Sequence, residues 1–416
     1  MGVLLDTTPL RVSRDFRRLW FGQAVSFVGS MITTATLPYQ VFHETGSSFA
    51  VGMLGLVQLG PLLLFALAGG AVADSLDKRR VLLGVTASAL TCSTLLAMNA
   101  GFAHPQLWLI YALGAASSAT FAVTFPVVRS LLPLLLEPKL RPAAFALQST
   151  YGSFGMMAGP ALAGILIGTA GTTTAYVVDV CTYAVALVVF AGISPAPPIA
   201  GVAAASATSV LQGLKFLRGH NVIMSVFGID FIAMVFGMPR ALFPALAERL
   251  GGGPTLYGLL LSSVAAGAFI ASLGSGWTTR VHHQGRAVLW CVAAWGASIA
   301  VAGLVRQPAL VLLALLGAGA ADMISGVYRS TIAADVTPDD LRGRVSGVEF
   351  AVYAGGPVVG DIEVGGLWGV PFAIVSGGIA CVVGAIAFAL RVREFATYTS
   401  AAHVAAARVD AGAHDT

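Results

Sequence analysis

Apolar residues in this chain gather in long runs that are hydrophobic on every side, separated by short stretches that hold most of the Lys, Arg, Asp and Glu. A run of about 20 residues in helical form covers the ~30 Å hydrocarbon layer of a bilayer. Twelve stretches qualify: 19–41, 49–73, 81–100, 107–132, 143–167, 174–193, 222–246, 256–278, 287–305, 310–332, 345–363 and 367–390. Strands of a membrane barrel would instead show segments of about ten residues with alternating polarity. The pattern therefore predicts an all-α membrane protein with twelve transmembrane helices.

Composition agrees. Of 416 residues, 57% are apolar and 10% charged, against about 25% charged in soluble domains. Mean hydropathy is +0.84. So few charges cannot wet a soluble surface, which excludes a soluble enzyme, a disordered scaffold and a nucleic-acid binder. The pI near 9.0 does not reverse this, because the net charge is only +4 and the basic residues lie in short scattered clusters. Cys92, Cys181, Cys291 and Cys381 stand alone within apolar stretches, with no metal-ligand spacing, and read as small buried hydrophobes. None of the seven histidines falls within a span. The N-terminal MGVLLDTTPLRVSRDFRRLW has no apolar signal core and is expected to be retained.

Lys and Arg resist translocation in short loops. With the N-terminus in the cytoplasm, twenty of the 23 fall inside or at the inner interface, and only Arg240, Arg249 and Arg306 lie outside. The tally predicts an even number of spans and two cytoplasmic termini.

Between spans six and seven, SPAPPIAGVAAASATS reads as a flexible cytoplasmic linker, followed by VLQGLKFLRGH, which suits either a short surface helix or an extension of span seven. The expected organisation is a six-helix bundle over 1–193, a linker over 194–221, a second six-helix bundle over 222–390 and a tail over 391–416. The halves echo each other. Arg129-Ser130 opens the loop after span four and Arg329-Ser330 the loop after span ten, 200 positions later, each followed by a proline. Gly159-Pro160 in span five and Gly356-Pro357 in span eleven hold equivalent places. This is the pseudo-symmetry of transporters whose two bundles rock about a shared midplane site.

At this point the chain resembles the major facilitator superfamily over essentially its whole length. GGAVADSLDKRRVLL, after span two, is similar to that superfamily's signature loop, with Gly70, Asp74, Lys78, Arg79 and Arg80 in order. The resemblance implies that this cluster latches one conformation and does not touch substrate. GMMAGPALAG in span five is similar to the motif of the superfamily's exporters, carried here by Gly155, Gly159, Pro160 and Gly164. DFRRLWFGQAVSFVGSMITTATLPYQVF, TGSSFAVGMLGL and DMISGVYRSTIAADVTPDDLRGRV resemble the branch containing the enterobactin exporter and macrolide-efflux proteins. Ser75 stands where the first signature usually has arginine, and Arg280 replaces the acid of the corresponding second-half loop, which weakens the expected latch.

No nucleotide-binding loop or catalytic constellation is present, so uphill transport needs an ion gradient; no cofactor is expected and the proton gradient is the energy source. A charge at mid-helix costs at least about 2.5–3.5 kcal/mol, so each one calls for a reason. Asp230 lies about 14 Å into span seven, near the midplane, and Asp322 is similarly deep in span ten. Both are candidates to load a proton on one side and release it on the other; Glu349 and Asp179 are weaker ones, since a helix–helix hydrogen bond would account for each. Charge partners are Arg129, Arg240 and Arg329, the last seven residues and nearly two turns from Asp322. In the family pattern, spans one, four, seven and ten line the cavity. They carry Gln23, Thr34, Tyr39, Thr124, Phe125, Phe231, Phe236 and Met323, a mixture suited to a bulky amphipathic or aromatic compound. The expected function is proton-coupled efflux of siderophore-like or drug-like molecules by alternating access, from a monomer in the bacterial inner membrane with the small-molecule substrate and the bilayer as its partners. The alternative is a proton-linked importer or lipid transporter on the same fold.

Overall fold

The computed structural model describes residues 6–195, 220–338, 341, 345, 352, 355–358, 360 and 369–399, and for 67–75 the backbone alone. Among these residues the chain is helical, and its one extended pairing is an isolated bridge between His283 and Thr399. It divides into two compact units, Met1–Ser206 with Ala247–Ser262, and Ala207–Leu246 with Ser263–Thr416.

The first unit contains α1 (Thr8–Val12), α2 (Arg14–Thr45), α3 (Ser48–Ser75), α4 (Lys78–Ala100), α5 (Leu107–Leu135) and α6 (Arg141–Ala191). The ends of α2 follow from its sequence. Ser13 accepts a hydrogen bond from the Phe16 amide at its start, and Gly46, at φ 64°, closes its end in the left-handed conformation that glycine adopts without strain. At 51 residues α6 would be about 77 Å long if straight, more than twice the hydrocarbon thickness. It is broken at Gly171, whose φ of 83° and ψ of 170° are non-helical. Spans five and six are therefore two helices, as expected, that meet at Gly171 in place of the longer gap expected at 168–173. The core of this unit joins Leu19, Leu82, Val127, Leu131, Ala186 and Phe190 from α2, α4, α5 and α6.

The second unit contains α7 (Asn221–Gly237), α10 (Gln284–Leu304), α11 (Pro308–Val336), α12 (Val370–Arg391) and α13 (Arg393–Ala396). Two helices run up to or across the division, α8 (Phe243–Arg249) and α9 (Gly253–Leu273). Ile229, Ala233, Met234, Val288, Val292 and Tyr328 are at the centre of its core. Where α10 crosses α12, a Cβ built on Gly296 would lie 2.6 Å from the Gly378 carbonyl oxygen, so glycine brings the two backbones into contact.

Among the described residues nine helical stretches are long and apolar enough to cross a membrane. Three expected spans are not counted separately. The polar residues of α2 keep it out of the set, α6 holds two spans in one stretch, and span eleven falls largely on 346–351, 353–354, 359 and 361–368, outside the described residues. So do 196–219 of the linker region and the tail from 400 onward. The cysteines divide: Cys92 and Cys381 are buried as expected, but Cys291 is half-buried and Cys181 exposed.

The exporter-type glycines are contact points. A Cβ on Gly155 would lie 2.5 Å from the Phe27 ring, and one on Gly159 would overlap Met31, both on α2. Gly164 meets the backbone of Pro254 and Gly258 at the start of α9. Overpacking a site of this kind costs typically 1–3 kcal/mol. Gly159→Val is expected to lower the thermal unfolding midpoint of the purified protein, whereas Gly152→Val, at an α6 position with open space around it, is expected to change it little.

Candidate functional site

In the second unit a buried charge cluster links α7 to α11. Arg329 is in direct ion contact through Nη1 with Oδ1 of Asp230 and donates from Nη2 to Oδ1 of Asp322 at 3.1 Å. The seven-residue spacing puts Asp322 and Arg329 on one face of α11, and α7 brings Asp230 to the same guanidinium. The three side chains meet water unequally: exposure is 7% for Asp230, 10% for Arg329 and 29% for Asp322. Two carboxylates share one guanidinium, so neutralising either one leaves the other paired with Arg329. Arg240, exposed on the 3-10 turn Arg240–Leu242 that follows α7, acts on Asp322 through space.

The first unit buries a carboxylate by other means. Asp179 on α6 has no exposed surface. Its Oδ2 accepts hydrogen bonds from Thr33 of α2 at 2.6 Å and Ser93 of α4 at 2.7 Å, and Oδ1 accepts one from Thr182 at 3.3 Å. Gly29 makes room for this knot, since a Cβ there would stand 2.5 Å from Asp179 Oδ1 and overlap Thr182. Three helices meet at one carboxylate that has no cation beside it among the described residues. Toward the opposite end of α2, the Tyr176 hydroxyl donates to Oε1 of Gln40 at 2.8 Å.

The residues expected at the cavity fall into two groups. Gln23 and Tyr39 are buried within their unit, Tyr39 against Tyr257 with ring centroids 5.6 Å apart; neither offers surface to a ligand here. Thr34, Phe125, Phe231 and Phe236 are exposed, and Thr124 and Met323 half-buried. Arg129 has its guanidinium 5.9 Å from the Phe125 ring centroid, one turn away on the same exposed face of α5. Glu349 lies outside the described residues, as do the side chains of Gly70 and Asp74.

The rest of the signature loop is described, and it contacts the end of α6 as well as its own helix start. Lys78 is buried at the start of α4. Arg79 donates to the Ala191 carbonyl at 2.6 Å, and the Arg80 amide to Oδ1 of Asp77 at 2.9 Å. Asp77 is the N-cap of α4, a role legible in its place before Lys-Arg-Arg and an apolar run. Arg18 reaches the Gly192 carbonyl and pairs with Asp15 at 3.2 Å. Arginines thus satisfy carbonyls at the C-terminal end of α6, where the helix dipole favours positive charge. Sequence reasoning did not single out Asp15, which also accepts from the Ser194 amide at 3.1 Å.

Burial pushes the Asp15 carboxyl up, but the hydrogen bonds from Ser194 and Arg18, with the Arg18 charge, outweigh it and hold the group below its ordinary value of 3.8. A carboxyl lowered by folding contributes stability above its unfolded pKa, lost as pH falls through the folded value. Asp15→Asn is therefore expected to lower the unfolding midpoint at neutral pH, and the gap from the wild type to close under acid; an unchanged gap would exclude this linkage.

Comparison with known proteins gives this geometry a context. The enterobactin exporters EntS of Escherichia coli O1:K1 / APEC and of Shigella boydii serotype 18 are each 23% identical to the chain over 367 residues, 88% of either length. Among solved structures, the nucleoside transporter NupG superposes with a TM-score of 0.74 at 13% identity, over 91% of this chain and 98% of that one. A bacterial homologue of the iron transporter ferroportin, in its inward-facing state, reaches 0.69 at 13% identity over 91% and 99%. At that identity the structures show the fold alone, the major facilitator fold of a multi-pass membrane protein. The model of the transmembrane secretion effector family matches residues 6–414. The chain belongs to the transmembrane secretion effector family of the major facilitator superfamily, whose members are transporters and not enzymes.

Proposed function

We propose that this transporter exports a siderophore-like or drug-like small molecule by alternating access, driven by the proton gradient, through twelve spans in two pseudo-symmetric six-helix bundles. It works in the bacterial inner membrane as a monomer with both termini in the cytoplasm, the side to which twenty of its 23 Lys and Arg are assigned. The name of the EntS relatives supports export as the direction. The observation that supports proton coupling is the Asp230–Arg329–Asp322 cluster, two carboxylates on one guanidinium with unequal access to water.

In this reading Asp322, the member that meets water, receives the proton. Neutralising it weakens its hold on Arg329 and leaves the guanidinium to Asp230, so the contact between Asp322 and its own helix partner is what changes during the cycle. Asp230 keeps Arg329 compensated throughout. Removing one partner of a buried pair costs about 3–5 kcal/mol, so the two carboxylates differ in what their loss does.

Everted membrane vesicles that accumulate a fluorescent dye or siderophore on acidification of the lumen supply the test. Asp322→Asn is expected to abolish pH-driven accumulation with protein level and thermal stability near those of the wild type. Asp230→Asn is expected to lower both stability and transport. Full accumulation with Asp322→Asn would remove the coupling role, and uptake of the compound into whole cells in place of export would favour the importer reading.

A further inference from the structure

A cleft of about 690 Å³ opens in the second unit where α12 ends, α13 begins and α7 starts. Both α7 and α12 belong to stretches long and apolar enough to cross a membrane, and the cleft lies at the first residue of one and the last of the other, where helices of that length would reach the interface. The transport cycle proposed above makes no use of it.

The cleft is amphipathic. Arg391 and Arg393 are exposed on its rim and enter no ion pair among the described residues. The acid beside them is Glu394, so the rim carries one net positive charge. The start of α7 faces the same space through Asn221 and Ser225, and its N-terminal end adds the positive end of a helix dipole. Beneath the charges the lining is apolar. Met224 is 45% exposed and Leu390 72% exposed, and the Phe388 ring forms the floor because Gly228 has no side chain to hold it off.

We propose that this cleft binds an anionic phospholipid, its phosphate on the two arginine forks and its upper acyl chain along Met224, Phe388 and Leu390. The chemistry is complementary at both ends. Guanidinium groups match phosphate oxygens two at a time, and a basic pocket at the interface with an oily side suits a headgroup attached to its chains and not a free ion. A zwitterionic headgroup would bring its own ammonium to the arginines, so the site favours phosphatidylglycerol over phosphatidylcholine. The proposal does not depend on the direction or the coupling of transport.

Purified full-length protein would be delipidated, mixed with equal amounts of phosphatidylglycerol and phosphatidylcholine, and its retained lipid counted by native mass spectrometry. The wild type is expected to retain phosphatidylglycerol in preference. Replacing both arginines, R391Q with R393Q, is expected to reduce that retention about 30-fold, two surface arginines' worth of attraction. Restoring charge with R391K and R393K is expected to recover most of it. Glu394→Gln, which removes the one opposing charge from an exposed position, is expected to raise retention, and it keeps the test decisive if the double glutamine variant does not fold. Equal retention of the two lipids by the wild type, or no change in either the glutamine or the Glu394→Gln variant, would overturn the proposal. Displacement of the lipid by excess inorganic phosphate would also overturn it, by assigning the cleft to a free anion.

Discussion

A charge taken from water into a membrane protein has to find its compensation within the protein, and this chain answers that requirement in two different ways. In the second unit a guanidinium stands between two carboxylates, Arg329 with Asp230 and Asp322. In the first, Asp179 is held by three hydroxyl donors and has no cation beside it among the described residues. Either solution fastens helices that are far apart in sequence, α7 to α11 in one unit and α2, α4 and α6 in the other. The cost of leaving any of these groups bare, several kcal/mol in low dielectric, fixes which helices must be neighbours.

Backbone groups obey the same constraint at the helix ends. The final carbonyls of α6 have no intrahelical donors, and Arg79 and Arg18 supply them at Ala191 and Gly192. The arginines that mark a membrane boundary in the sequence therefore also close a helix terminus. Within the spans glycine does the equivalent work by geometry, since Gly155 and Gly159 bring α6 onto α2 and Gly296 brings α10 onto α12. Lipid offers helices little hydrophobic reason to associate, so close backbone packing and a few polar knots determine the arrangement.

Much of this was legible from residue order. Runs of apolar residues located the helices to within a few positions, because helix length in a bilayer is set by its thickness. The seven-residue spacing of Asp322 and Arg329 pointed to a shared face, and their ion pair follows from it. Asp230 as the second partner was not legible, because no local pattern says which span packs against which. For the same reason the hydroxyls around Asp179 could be named as a class, a helix–helix hydrogen bond, but Ser93 and Thr182 could not be selected from the many Ser and Thr in spans. Spans five and six are two helices as the sequence suggested, but the loop between them shrinks to Gly171, whose non-helical backbone turns the chain at a single residue. Gln23 and Tyr39, placed at a cavity because span one lines it in the family pattern, lie buried, because a polar side chain in a span serves packing and ligand contact equally well.

Asp322 and Asp179 are alike in sequence context, yet their surroundings differ in what they would allow each carboxylate to do. A coupling group must change partners, which requires access to water for the proton and a second group to keep the remaining charge compensated when the first lets go. Asp322 has both, with 29% of its side chain exposed and Arg329 still bound to Asp230. Asp179 has neither: it is sealed, and protonating it would break hydrogen bonds that tie three helices together without any cation to redirect. Depth in the membrane, the property that first drew attention to such residues, is thus a weaker guide to coupling than the number of partners a charge can exchange.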